Sequence, residues 1–235
     1  MRSFKTAASG IPTIWTDTLF LTAVGSKDIK DIFDAKVPFT FPKPVPLIKE
    51  VLRRVSRKDG WVLDFFAGSG TTGQAVLELN QEDDGHRKFI LCTNNESNIC
   101  TDITYPRVST VITGLRENGS RYSEGIPSNL KYYRTDFIAK DEEYLSDALL
   151  KHIAEMIQLE HGVKLDGRNY IMVLDDNEAD ALTEHWSDYP DTKALYVSKN
   201  VLFTTEQNDL LKNVKIHIIP DYYFNFELRE VGEAW

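Results

Sequence analysis

The sequence predicts an α/β fold in two parts, and three observations carry that prediction. An apolar strand, a glycine-rich turn and a helix follow one another over residues 61–79 and lead to a second strand at 88–93, which makes one β-α-β unit. Further strand candidates alternate with helices after residue 141. The charge also changes sign along the chain. Residues 1–140 hold 19 Lys+Arg against 16 Asp+Glu, whereas residues 141–235 hold 8 against 20. Two units with different partners are expected from that asymmetry. The first could lie near a polyanion and the second would be repelled by one.

Residues 1–40 are mixed, with a short strand expected at 13–15 and a helical turn at 28–33. Pro42, Pro44 and Pro46 then make an extended lead-in, because each proline biases its predecessor away from helix. Leu47, Ile48, Val51, Leu52 and Val55 follow at helical spacing, with Lys49, Arg53, Arg54, Arg57 and Lys58 on the other side. That basic side suits either DNA phosphates or plain solvent. Residues 61–66 read as a strand, 74–79 as a helix, 81–87 as a loop and 88–93 as a strand parallel to the first. Pro106 should break a helix spanning 98–115. Residues 114–129 read as a loop and 130–138 as a third strand. In the acidic part, 142–161 is an amphipathic helix. Strands are expected at 170–174, 194–198 and 214–219, with helices at 176–186 and 205–211 between them. A weaker helix closes the chain at 223–230.

Composition narrows the class. With 42% hydrophobic, 11% aromatic and 27% charged residues, the chain has enough apolar side chains for a core and is not a disordered, collagen-like or disulfide-scaffold protein. Cys92 and Cys100 are expected as free thiols in a reducing cytosol. The apolar run at 19–24 is too short to span a bilayer and lacks signal-peptide flanks. A soluble cytoplasmic protein with no membrane partner is therefore expected. His86, His152, His161, His185 and His217 show no ligand spacing, so no metal site is expected.

The strand–turn–helix is the most informative feature. Gly68, Gly70 and Gly73 satisfy G-x-G-x-x-G, where glycines let backbone approach a ligand and let helix and strand pack closely. Free N–H groups at the helix start favour an anionic group by roughly 0.3–1 kcal/mol at an exposed site. The pattern alone fits an NAD fingerprint, a structural turn or another nucleoside site. Asp64 sits at the strand end, four residues before the first glycine, where a ligand ammonium could be met or the turn capped. A dinucleotide site also wants an acid about 20 residues past the glycines. The second strand ends instead in Thr93, with Glu96 a little later, a poor match to the NAD rule.

Asp64-Phe65-Phe66-Ala67-Gly68-Ser69-Gly70-Thr71-Thr72 resembles the S-adenosylmethionine motif of bacterial amino-group DNA methyltransferases. Phe41-Pro42-Lys43-Pro44 and the helix after it are similar to that family's Lys-Pro motif. Glu78-Leu79-Asn80, the stretch from Asn94 to Tyr105 and the tail from Ile219 to Trp235 resemble more narrowly the modification subunit of type III restriction–modification systems. The resemblance implies a partial Rossmann-like S-adenosylmethionine-dependent methyltransferase domain plus a smaller C-terminal α/β domain. Residues 1–40 would end a target-recognition or linker region, 41–140 would bind the cofactor, and 141–235 would be an assembly domain.

It also implies roles. Asp64 and Phe65 would meet the methionine portion of S-adenosylmethionine. Ala67, Gly68, Ser69 and Gly70 would leave room for it, with Thr71 and Thr72 at the helix start. Lys43 and Pro44 would close one side. The ribose would approach the second strand end, held either by Glu96 or by polar neutral groups such as Thr93. Implied partners are duplex DNA through the full-length protein, the restriction subunit and a second copy of the chain.

Amino-group methyltransferases also carry an Asp/Asn/Ser-Pro-Pro-aromatic motif, whose acceptors hold the amine of a flipped base and whose ring stacks on it. None of the nine prolines here is followed by another. Catalytic residues are therefore expected none, and that motif is expected N-terminal to this chain, which would be the C-terminal part of a longer enzyme and inactive alone. Two further readings stay open: a degenerate remnant serving as an interaction module, and a nicotinamide oxidoreductase. Tyr222, Tyr223, Phe224, Phe226 and Trp235 read as core plus interface, because their acidic surroundings oppose nucleic acid.

Overall fold

In the computed structural model, residues 14–34, 39–135, 137–139, 149 and 152–220 are described. The chain divides into two units, Met1–Tyr133 and Arg134–Trp235.

In the first unit, Asp17 caps a 3-10 turn, Thr18–Phe20, by accepting from Leu19 N, and α1 follows over Thr22–Ile32. Helix α2, Val45–Val55, starts after Pro44 with Pro46 in its first turn, where a missing N–H leaves nothing unpaired. Strand β1, Trp61–Asp64, leads through the glycine turn into α3, Thr71–Asp83. Strand β2, Lys88–Leu91, runs parallel to β1, with Trp61 opposite Lys88 and Asp64 opposite Leu91. Asn80 fixes the return to β2: its side chain donates to Arg87 O at 2.9 Å and accepts from Arg87 N at 3.1 Å. Helix α4 spans Tyr105–Thr113. Val45 and Leu52 pack on Ala75, Val76 and Leu79, joining α2 to α3. Ile32, Leu77, Val108 and Val111 join α1, α3 and α4.

The second unit contains α5, Ile153–His161, then β3, Tyr170–Val173, and α6, Asp176–Glu184. After these come β4, Ala194–Val197, α7, Thr205–Leu211, and β5, Lys215–Ile218. The three strands form one parallel sheet in the order β3-β4-β5. Every residue of the central strand β4 is buried. Leu195 and Val197 join the layer of Ala179, Leu182 and Leu211, and Ala194 and Tyr196 join that of Ile153, Ile157 and Ile219. A parallel strand covered on both faces reads as a continuous apolar run, which is how Ala194-Leu195-Tyr196-Val197 reads. The helices are capped from the sequence. Asp175 accepts from Glu178 N, and Thr204 and Gln207 form a reciprocal capping box. No helix among the described residues is long and apolar enough to cross a membrane.

Several elements differ from expectation. Ile14 and Trp15 form no strand, and Thr13 lies outside the described residues; the Trp15 ring instead sits 5.8 Å from Phe20 and under the Arg54 guanidinium. The turn expected at 28–33 is the end of the longer α1. Helix α3 runs on to Asp83 and stops only where Asp84 turns left-handed, at φ 53°. Pro106 breaks nothing, because it falls in the first turn of α4 after a π-helical turn, Cys100–Thr104. The described residues within 130–138 form no strand. Leu130 packs on the Val108–Val111 core and Tyr132 edges against Tyr105 at 5.4 Å, so side-chain packing replaces a ladder. Of the helix expected at 142–161, Ile153–His161 is described and helical, while 142–148 lie outside the described residues, as do the terminal helix and the aromatic cluster from Tyr222 to Trp235.

Candidate functional site

The turn between β1 and α3 is held by its own backbone. Cys92 N donates to Asp64 O at 2.8 Å, Ala67 N to Cys92 O at 3.0 Å and Gly70 N to Ala67 O at 2.8 Å. Gly68 and Gly70 take φ of 51° and 77°, a region that side-chain-bearing residues avoid. A Cβ on Gly70 would also lie 3.1 Å from Thr104 O. Helix α3 therefore starts with its first-turn N–H groups free of intrahelical partners.

Asp64 lies half-buried over this helix start. One carboxylate oxygen accepts from Phe66 N at 3.1 Å, and the other accepts from Thr72 Oγ1 at 2.6 Å. It thus faces the turn, away from the packed interior. Phe65 and Phe66, the two residues that follow it, are 65% and 91% exposed.

The upstream segment reaches the same place. Thr71 Oγ1 donates to Lys43 O at 3.2 Å, which fastens the proline-rich lead-in to the helix start. Pro42 and Pro44 are buried while the Lys43 side chain is exposed. The Phe39 ring comes within 3.5 Å of where a Gly68 Cβ would sit. Asp28 on α1 accepts from Val45 N at 3.2 Å and so holds the start of α2. Burial raises the Asp28 pKa, although the Val45 N–H and the positive charge of Arg107 oppose that.

Thr93 and Glu96 lie on the loop leaving β2. Thr93 Oγ1 donates to Asn94 O at 3.0 Å, and Glu96 accepts from Asn94 Nδ2 at 3.2 Å. Asn95 Oδ1 accepts from Cys100 N and Thr101 N, fastening this loop to the π-helical turn. Ser97 and Asn98 are consecutive non-glycine residues with φ of 52° and 59°. Such strain persists only where the surroundings enforce it. The structure therefore brings Lys43, Pro44, Asp64 and residues 67–72 together, with Thr93 and Glu96 on the loop after the adjacent strand end.

Sequence reasoning missed Arg107. It is fully buried behind the turn. Its Nε donates to Gln74 Oε1 at 2.8 Å. Its Nη1 donates to Ser69 Oγ and Thr71 Oγ1, both at 2.9 Å, and to Ser69 O at 3.3 Å. Nη2 has no hydrogen-bond partner among the described residues. Burial lowers the Arg107 pKa to about 10, against the pull of Asp28, Tyr122 and Glu78, so it stays charged at neutral pH. A signal for it exists in the sequence: Ile103, Arg107 and Val111 share one face at i, i+4 spacing, and all three are buried.

Two other sequence features resolve differently. The basic side of α2 is matched by acids on neighbouring turns. Lys49 pairs with Glu78 at 3.1 Å and also with Glu82, Arg53 pairs with Glu82 at 2.5 Å, and Arg54 pairs with Glu50. Burial tends to raise the Glu82 pKa, but the bonds and charges of Lys49 and Arg53 outweigh it and hold Glu82 below the usual range. Lys49 and Arg53 thus form a helix–helix seam, whereas Arg54 pairs within α2 and Arg57 with Asp59. Of the scattered histidines, His161 and His217 come together in the second unit, with ring centroids 4.8 Å apart, and His217 stacks on Tyr196.

Residues 4–105 match the DNA methylase family. The Mod subunit of the type III restriction-modification enzyme StyLTI from Salmonella typhimurium is 36% identical over 153 residues, which is 60% of this chain and 23% of that protein. The Mod subunit of the EcoPI enzyme of Escherichia phage P1 is 44% identical over 84 residues, 36% of this chain and 13% of that protein. The type II methyltransferase M.KpnI of Klebsiella pneumoniae is 35% identical over 129 residues, 54% of this chain and 30% of that protein. The chain spans less than a third of the length of each.

Proposed function

We propose, from the premise that this chain is a relative of the DNA methylases found as modification subunits of type III restriction–modification systems, that it supplies the S-adenosylmethionine-binding part of a site-specific DNA adenine-N6 methyltransferase. The observation that carries this reading is the carboxylate of Asp64 set over a glycine turn, bonded to Thr72 at the start of α3. The residues fit such a cofactor. Two left-handed glycines keep side chains out of the turn, and the helix start offers N–H groups to a carboxylate. Asp64 is placed for an ammonium, with the exposed Phe65 and Phe66 following it in the chain.

Asp64, Phe65, residues 67–72, Lys43 and Pro44 would hold the methionine portion, and Thr93 or Glu96 the ribose. When bound, the cofactor supplies an electrophilic methyl group. The chain's own residues would hold it in place: Thr72 fixes the Asp64 carboxylate, and the Thr71–Lys43 bond fastens the Lys43 segment to the helix start.

The grip on the acceptor base belongs, in this reading, to segments outside these 235 residues, since no Pro-Pro-aromatic motif occurs among them. The outer face of β1 supports that. Trp61 and Leu63 are each 53% exposed, and they alternate with half-buried Val62 and Asp64; a row of large apolar side chains on one strand face marks a surface made to be covered. In the same reading residues 41–140 are the cofactor-binding part. The acidic residues 141–235 are an assembly part that pairs two modification subunits or docks a restriction subunit, acting on duplex DNA in the cytoplasm.

The test is a methyl-transfer assay. The purified chain, given radiolabelled S-adenosylmethionine and duplex DNA, is expected to show background incorporation only. Robust transfer by this chain alone would refute the division of labour.

A further inference from the structure

We infer that Arg107 is a positioning residue of the glycine turn, a buried cation that locks the Ser69 and Thr71 hydroxyls as acceptors and adds positive potential behind the N–H groups a ligand would meet. The inference rests on the reading of that turn as a cofactor site.

Arg107 stands on α4, far along the chain from the turn, yet one guanidinium touches Ser69 in the turn and Thr71 and Gln74 at the start of α3. It bonds Gln74 through Nε, and Ser69 and Thr71 through Nη1. Every one of these acceptors is neutral. The carboxylates of Asp28 and Glu78 act on it only through space. A residue serving packing alone would be apolar at this position, since a guanidinium taken out of water without a direct ion pair is costly.

What the cation adds is direction. A guanidinium only donates. Thr71 Oγ1 must therefore accept from Arg107, and with Ser69 Oγ, 3.1 Å away, donating to it as well, its own hydrogen goes to Lys43 O. The same group thus sets both the shape of the turn and the fastening of the Lys43 segment to it. Its charge lies against Ser69 and Thr71 at the start of α3, where a positive charge reinforces the preference for an anionic ligand group. Arg107 is itself fully buried, so it works through Ser69 and Thr71.

The experiment compares the full chain with Arg107→Lys, Arg107→Met and Gln74→Met. Hydrogen exchange is read without ligand at Ala67, Gly70 and Gln74, whose amides donate to Cys92 O, Ala67 O and Gly70 O around the turn and helix start, with the buried strand β4 as internal control. Affinity for S-adenosylhomocysteine is then measured by calorimetry. Arg107→Lys keeps the charge, but one ammonium cannot serve Gln74 and the two hydroxyls with a planar fork. It is expected to melt cooperatively, to exchange about tenfold faster at the turn only, and to bind about tenfold more weakly. Gln74→Met is expected to shift both readings in the same sense by a smaller factor.

A folded Arg107→Lys protein with wild-type turn exchange and wild-type affinity would show that the side chain only fills space. Should both Arg107 variants fail to fold, Gln74→Met decides: unchanged exchange at the turn overturns the inference. If the wild-type chain binds no S-adenosylhomocysteine, the cofactor reading falls, while the ligand-free exchange comparison still judges Arg107.

Discussion

Gly25→Ala is expected to destabilise the first unit by about 3 kcal/mol and to dislodge the Lys43 segment. Helix propensity alone argues the opposite, because alanine is favoured over glycine inside a helix by about 1 kcal/mol. The packing decides. A Cβ on Gly25 would lie 2.2 Å from Pro42 O and 2.9 Å from the Lys43 carbonyl carbon. Both are backbone atoms, so no rotamer change relieves the clash. Either α1 or the proline-rich segment must move. Asp28, one turn further along α1, holds Val45 N, and Lys43 O holds Thr71, so movement there reaches the glycine turn. Urea unfolding of the two proteins checks the prediction. An alanine variant as stable as the wild type would mean that α1 does not pack on Pro42.

Asp64→Ala is expected to weaken S-adenosylhomocysteine binding about 100-fold while changing stability by less than about 1 kcal/mol. The carboxylate is the acceptor for Thr72 Oγ1 and Phe66 N and, in the proposed reading, the charged group that would meet a ligand ammonium. Both of its partners lie next to solvent-accessible parts of the turn, so water can take over much of the lost bonding in the free protein. A ligand ammonium has no such substitute inside a crevice. Asp64→Asn, which keeps an acceptor but no charge, should fall between. Calorimetry with a parallel melting curve separates the two effects. A loss of stability without a loss of affinity would make Asp64 a turn cap only.

Where the sequence was readable, the cause is local chemistry. Helix α7 spans the expected residues, and its start is fixed by Thr204 and Gln207, which cap it reciprocally. Strands β3 and β4 were legible as short apolar runs between helical stretches, as the buried strands of a parallel sheet read, and the edge strand β5 by its alternation of Ile216 and Ile218 with Lys215 and His217. The glycine turn was legible because Gly68 and Gly70 hold left-handed backbone.

What escaped depends on which elements meet. The basic side of α2 suits DNA phosphates or plain solvent equally until α3 brings Glu78 and Glu82 to Lys49 and Arg53. Residues 130–138 have strand-forming aromatic residues, but those described form no ladder, and Tyr132 packs on Tyr105 instead. His161 and His217 are far apart in sequence and adjacent only through the helix–sheet packing of the second unit. Arg107 reads as one more surface charge unless its place between Ile103 and Val111 is noticed.

The most direct measurement is a backbone-amide NMR titration of the whole chain with S-adenosylhomocysteine. Saturable shifts centred on Asp64, Phe65 and residues 67–72, fading toward the loop of Thr93 and silent at Ala194–Val197, are the predicted outcome. A titration that moves no resonance, or one whose shifts gather away from the turn between β1 and α3, would contradict the account.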